Sequence, residues 1–293
     1  MKILFTGGDG QLSQEFSSVL QKSHTSLGAV PRIFVESEYI FLSKEQLDIT
    51  NLTAIKREFS SFSPDIVVNC AAYTNVDACE ENPTQAMAIN ALGPRNLAIA
   101  AEECGASIVH ISTDYIFDGE ERSPRSEWDP AFPKTIYGKS KKLGEEYIQC
   151  FSSKFYIVRS AWLYSIFGKN FVKAIVAQAR AGNPLQVVND QYGNPTCAED
   201  LVYQILYLIA NENYGIYHCT NHGEASWYEF ACEILKTLHF TNSCLPCSTE
   251  SSARKAKRPS SSSLSNTALA ASNCDFMRPW KDALHDYLTK NNF

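Results

Sequence analysis

Short apolar runs alternate with stretches of helical period through the first half of the chain. Residues 2–5 (Lys2-Ile3-Leu4-Phe5), 39–42 (Tyr39-Ile40-Phe41-Leu42), 65–70 (Asp65-Ile66-Val67-Val68-Asn69-Cys70) and 107–112 (Ser107-Ile108-Val109-His110-Ile111-Ser112) read as strands. Between them, residues 11–21, 54–62 and 83–104 place apolar side chains at helical spacing. Residues 24–32 keep neither period and read as irregular. Near-continuous apolar strands separated by helices predict a parallel sheet covered on both faces. The expected fold class is therefore α/β, a doubly wound parallel sheet of the Rossmann type with ligands at the carboxyl ends of its strands.

A helix over 137–148 and a strand over 155–159 continue the alternation, which then loosens. Helices are expected at 171–181, 198–210 and 227–238, a strand at 215–219 and a last helix at 280–288. Residues 241–263 are rich in Ser and Pro with several basic residues, a loop composition. The expected organisation is a nucleotide-binding domain over 1–160 that takes back roughly 197–220. A smaller, interleaved domain, mainly 161–293, would capture the substrate.

A formal net charge of −6 argues against general nucleic-acid binding. No apolar run approaches the roughly 20 residues of a membrane span. The chain runs from Met1 straight into its first strand, which reads as a strand and not a signal peptide, so the expected location is cytoplasmic. Its ten cysteines are scattered. Only Cys244-Leu245-Pro246-Cys247 has redox or zinc spacing, without a second pair to complete a metal site, so reduced structural cysteines are expected and no metal.

Two groups of residues carry chemistry. Gly7 and Gly10, between the first strand and helix, form the G-x-x-G part of a dinucleotide loop; Ser13 stands where a third glycine is usual. After the second strand, Ser43-Lys44-Glu45 offers a hydroxyl and a cation where enzymes using NAD place an acid, a lean towards NADPH with NADH left open. Further on, Tyr137 and Lys141 are four residues apart in Tyr137-Gly138-Lys139-Ser140-Lys141, which puts both on one face of a helix. A cation beside the phenol is expected to lower its pKa, which suits proton transfer.

The chain resembles the dTDP-4-dehydrorhamnose reductase family, a branch of the extended short-chain dehydrogenases/reductases. The resemblance rests on GGDGQL (7–12), LDIT (47–50), PDIVVNCAAYTNVDACEENP (64–83), HISTDYIFDG (110–119), YGKSK (137–141), NDQYGNPT (189–196) and SWYEFA (226–231). It implies NAD(P)H-dependent reduction of the 4-keto group of dTDP-4-dehydro-L-rhamnose to dTDP-L-rhamnose, in nucleotide-sugar and polysaccharide biosynthesis. Two alternatives stand beside it. One is a sister reductase giving another stereoisomer. The other is a non-catalytic regulator resembling the regulatory subunit of methionine adenosyltransferase, which keeps the tyrosine–lysine pair.

By that resemblance Tyr137 would donate the proton, Lys141 would hold the cofactor ribose, and Thr113 would bond the reacting oxygen. Gly7, Gly10, Gln11 and Leu12 would cradle the pyrophosphate, with Ser43 at the far ribose. Asp48 and Ile49 would flank the adenine, and Ala71, Ala72, Tyr73 and Thr74 would line the nicotinamide side. Val76, Asp114, Trp162 and Arg258 would contact the dTDP-sugar, where Arg254-Lys255-Ala256-Lys257 adds positive charge for its pyrophosphate. Val76 and Trp162 read equally as core, and Asp48 as a helix cap before Leu52. Some relatives bridge subunits through magnesium held by three glutamates. Glu15 and Glu199 fit two of those places and no third is evident near Asp286, which leaves a homodimer open but not one built on metal.

Overall fold

The computed structural model describes residues 1–251 and 255–293. Six strands form one sheet: β1 (Lys2–Thr6), β2 (Glu38–Leu42), β3 (Ile66–Asn69), β4 (Ser107–Thr113), β5 (Phe155–Ser160) and β6 (Gly215–His218). Their spatial order is β6-β5-β4-β3-β1-β2, and every pairing is parallel. Progression along the sheet reverses between β1 and β3, with β2 on one side and β3 to β6 on the other. That reversal opens a crevice at the carboxyl ends. The register levels those ends, since Thr6 lies opposite both Leu42 and Asn69.

Both faces of the sheet are apolar, as the unbroken Val/Ile/Leu runs require. On one face Phe5, Val68 and Val158 meet the helices Gln11–Lys22 and Ala198–Ala210 through Phe16, Leu201 and Ile205. On the other, Leu4, Val67 and Ile108 meet Leu52–Phe62 and Gly93–Cys104 through Ile55, Phe59 and Leu97. A second core lies beyond the sheet, where Val172, Ile175, Phe230, Ile234 and Leu284 join the helices Phe171–Arg180, Trp227–Thr237 and Trp280–Lys290. Truncating a buried aromatic such as Phe230 to alanine should cost about 3–5 kcal/mol.

Three expectations need correction. Residues 24–32 are not wholly irregular: His24–Thr25 pairs with Gly28–Ala29, and a one-turn helix Arg32–Val35 follows. The 241–263 segment contains a strand, Cys244–Cys247, paired in parallel with Leu185–Val188. Its serines and proline hid four residues that are satisfied by a distant partner strand. On a strand, residues three apart point to opposite faces, so this CxxC cannot close on itself as a redox or zinc pair. The 83–104 helix is interrupted at Ala88–Leu92 by a π turn, between Pro83–Met87 and Gly93–Cys104.

Candidate active site

The nucleotide loop follows from close approach. Gly7 sits at φ +65°, and a Cβ there would stand 2.8 Å from the Ala71 Cα. Only glycine lets β1 turn this tightly against the end of β3. Gly10 N–H then bonds the Gly7 carbonyl (2.8 Å), and the helix Gln11–Lys22 begins with no acid in its first turn. The first N–H groups of a helix lack intrahelical partners and favour an anion. The Gln11 and Leu12 side chains do other work. Gln11 donates to the Leu163 carbonyl (3.3 Å) and accepts from Asn170 (3.0 Å), while Leu12 is buried in the core. Ser13 is fully buried with its hydroxyl unpartnered, in keeping with a site that demands a small residue.

A cleft of about 380 Å³ opens at the switch point, lined by Gly7, Gly10, Lys44, Asp48, Ile49, Ala71, Ala72 and Tyr73 among others. Ser43 is not part of this lining. Its hydroxyl donates to Glu45 (2.9 Å), and Lys44 presents the cation instead. Thr74 is exposed beside the cleft, also outside its lining. Asp48 is not the helix cap, because Asn51 caps Leu52–Phe62 by accepting from the Ala54 N–H. Asp48 accepts instead from the Thr50 N–H and hydroxyl, which hold its carboxyl below the usual range against the opposing effect of burial. The glycine cradle, the acid-free helix start and the cleft beside them fit a dinucleotide.

Next to the cleft, Thr113 ends β4 and starts the short turn Asp114–Ile116. Its hydroxyl donates to Asp114 (2.8 Å). Burial pushes the Asp114 carboxyl up to about 6, opposed by the nearby Ser262 hydroxyl and by the Thr113 hydrogen bond, and its Oδ2 is buried without a hydrogen-bond partner. Tyr137 lies in the first turn of the helix Ile136–Phe151, capped by Thr135. A Cβ on Gly138 would fall 2.1 Å from the Tyr115 carbonyl, so this glycine lets the helix press against the turn that bears Asp114. The Tyr137 ring meets the Tyr115 ring edge-on at 5.5 Å, and its hydroxyl lies beside that of Thr113.

The phenol is not lowered as the Tyr137/Lys141 spacing suggested. Burial raises its pKa, the Thr113 hydrogen bond opposes this, and Asp114 raises it further. The Lys141 amine is turned away to the Ile111 carbonyl (2.6 Å) and His110 Nε2 (3.1 Å). A shared helix face puts two residues side by side without fixing what their polar ends touch.

On the far side, Trp162 adopts φ +45° and stacks flat on Trp227, with centroids 3.5 Å apart. Gly193 lies beneath it, and Ser262 beside Gly193. Gly193 thus links Trp162 to Ser262, which neighbours Asp114 and, through it, Thr113. Val76 opens the helix Val76–Glu81, half-buried. The next residue, Asp77, was not anticipated: it accepts from Arg258 (2.8 Å) and from the Ala256 N–H (2.9 Å). Arg258 lines a small pocket with Tyr115, Thr135 and Lys257, and its Nε is buried without a partner. Lys255 pairs with Glu81, so this basic stretch is partly neutralised by one helix, and Arg254 lies outside the described residues.

Asn90 is a second unanticipated residue. Buried in the π turn, it accepts from the Tyr73 N–H (2.7 Å) and donates to the Tyr73 carbonyl (3.0 Å) and Ser140 (3.1 Å). The available signal was an asparagine amid apolar helical residues, a position where it is normally unfavourable. Glu15 accepts from Ser165 (2.5 Å), and Glu199 from Lys290 (2.6 Å) and Ser26 (2.8 Å). Asp286 pairs with Arg278 instead of joining them. Among the described residues, no group of three or more acidic, His or Cys side chains could hold a metal. Nor is any described helix long and apolar enough to cross a membrane.

Comparison with known proteins agrees with this geometry. A dTDP-4-dehydrorhamnose reductase of Clostridium acetobutylicum has a structure superposing with a TM-score of 0.93 at 43% identity, over 100% of both chains. The Bacillus anthracis dTDP-4-dehydrorhamnose reductase, solved in complex with NADP, gives 0.91 at 35% identity over 99% of each chain. The spore coat polysaccharide biosynthesis protein SpsK of Bacillus subtilis is 38% identical over 99% of this chain and 98% of its own. The family profile described as RmlD substrate binding domain matches residues 1–293, and the chain belongs to this family of dTDP-4-dehydrorhamnose reductases.

Proposed function

We propose that this protein reduces the 4-keto group of dTDP-4-dehydro-L-rhamnose to give dTDP-L-rhamnose, using NADPH or NADH. The observation that carries the reading is the cluster of Thr113 and Asp114 at the end of β4 with Tyr137 on the adjoining helix, beside a glycine-cradled cleft. When bound, the dihydronicotinamide supplies the hydride. The chain supplies the rest. Tyr137 gives its proton to the oxygen of the reduced carbon, and the Thr113 hydroxyl holds that oxygen in place. A phenol whose pKa is raised by burial keeps its proton until an oxyanion develops, which suits a donor. Lys141 holds the cofactor ribose. Trp162 bounds the sugar, with Val76 and Asp114 beside it, and Arg258 takes the nucleotide pyrophosphate, its unpartnered Nε being the free donor.

In this division of labour, residues 1–160 with 197–220 hold the cofactor and 161–293 mainly hold the dTDP-sugar. We place the protein in the cytoplasm. The test is to purify the chain and follow NADPH oxidation with the dTDP-4-keto-6-deoxy sugar, then assign the product by NMR. Rhamnose is expected. The talose epimer would make it a sister reductase, and cofactor binding without turnover would support the regulator.

A further inference from the structure

We infer that His110 is a positioning residue that sets the charge state of Lys141, through a ring tautomer selected by Asn69. Asn69 Oδ1 accepts from the Ala71 backbone N–H (3.2 Å) and from the Thr6 hydroxyl (2.7 Å). A backbone N–H can only donate, so the identity of that oxygen is fixed. The Asn69 amide nitrogen therefore faces His110 Nδ1, at 3.0 Å. An amide nitrogen also only donates, so Nδ1 must carry the lone pair. In a neutral imidazole, the proton then sits on Nε2.

That proton points at Lys141 Nζ, 3.1 Å away, while Nζ donates to the Ile111 carbonyl at 2.6 Å. An uncharged amine accepts the Nε2–H bond. An ammonium has no lone pair and meets it donor to donor. Moving the ring proton to Nδ1 relieves Lys141 but makes the same conflict with Asn69. Water does not relieve it, since Thr6, Asn69, His110 and Lys141 are all 2% exposed or less. Every arrangement with a charged lysine thus leaves one buried pair of opposed donors, a costly defect.

The surrounding charges agree. The titratable groups acting on Lys141 are Glu145 on its own helix and Cys70 after β3, which favour the charged form, against burial, which dominates and pushes the amine down to about 8. His110 is held neutral, well below its usual range, by burial and by Lys141. Asp114, Tyr115 and Cys79 act on Tyr137 instead. The consequence for catalysis rests on the reading that Lys141 holds the cofactor ribose: cofactor binding should weaken in mild alkali as the ammonium is lost.

Asn69→Asp reverses the logic. Its second oxygen accepts from Nδ1–H, which leaves the Nε2 lone pair for the ammonium. The experiment is NMR of the ¹⁵N- and ¹³C-labelled full chain, reading the His110 tautomer in the wild type and the Lys141 titration in wild type and Asn69→Asp. We expect Nε2-protonated His110, and a Lys141 titration about one unit or more higher in the variant, a tenfold gain in proton affinity. A wild-type ring protonated on Nδ1, or a Lys141 titration unmoved by Asn69→Asp, overturns the inference, and the first needs no variant to fold. NADPH affinity measured across the same pH range separates the two claims. Affinity indifferent to pH, with the expected NMR result, sustains the charge setting and refutes the ribose role.

Discussion

The side proposed for the cofactor and the side proposed for the sugar are built in different ways. The cleft is made mainly of loops that directly follow β1, β2 and β3, and much of its shape comes from backbone: a glycine at positive φ, small residues and a helix start. The sugar side is assembled from side chains far apart in sequence. Asp77 meets Arg258, Asp114 meets Ser262, and Trp162 stacks on Trp227. Backbone-built sites tolerate side-chain change at their rim. Sites built from paired charges lose function when one partner goes. Mutations should therefore be felt very differently on the two sides.

The sharpest break lies where the sides meet. Tyr137→Phe should lower kcat by about 100-fold or more while NADPH binding, measured by fluorescence titration, stays near wild type. Loss of both together would place the phenol in the cofactor cleft and not between the two sides.

Asp114→Asn should raise stability while lowering turnover. The Asp114 carboxyl is raised by burial from 3.8 to about 6, so folding favours its protonated form. The penalty is fully present above pH 6 and fades as pH falls towards 4, worth up to about 3 kcal/mol at neutral pH. Urea unfolding at pH 7 should show the gain, and at pH 4 the variant and wild type should converge.

Asp77→Ala removes both bonds that hold residues 256 and 258. The KM for the dTDP-sugar should rise about tenfold, the equivalent of roughly 1.4 kcal/mol, with the KM for NADPH unchanged. A matched rise in both would erase the distinction between the two sides. The smallest effect belongs to the cleft rim. Lys44→Ala should reduce the NADPH-over-NADH ratio of kcat/KM only several-fold, because an exposed ion pair contributes about 0.2–1 kcal/mol. Added salt should shrink the wild-type preference in the same direction.

This contrast also explains what could be read from the chain. Gly7, Gly10, Tyr137 and Lys141 announce themselves because neighbouring residues supply their geometry. All six sheet strands were legible for the same reason, each a local apolar run. The Cys244–Cys247 strand was not, because its pairing with Leu185–Val188 is set by tertiary contact and not by its own composition. The direction of the Tyr137 shift was missed because burial, which raises it, cannot be read from the spacing of Tyr137 and Lys141, and the Lys141 amine is held by the Ile111 carbonyl on β4. Asp77 carries no local signal beyond an acid in the first turn of a helix, because its partner Arg258 lies in a distant loop.

The π turn at Ala88–Leu92 makes this helix an odd target for protein engineers. Its extra residue lets Gln85 and Ile89 face the cleft while Asn96, on the next stretch, reaches the Ile49 and Thr50 carbonyls. Removing one residue would restore a regular ladder and look like an improvement to any local measure of helix quality. It would also rotate everything downstream by about 100°, pulling Asn96 off its carbonyls. Here regularity and fitness are opposed, and a stabilising deletion would cost the enzyme its aim.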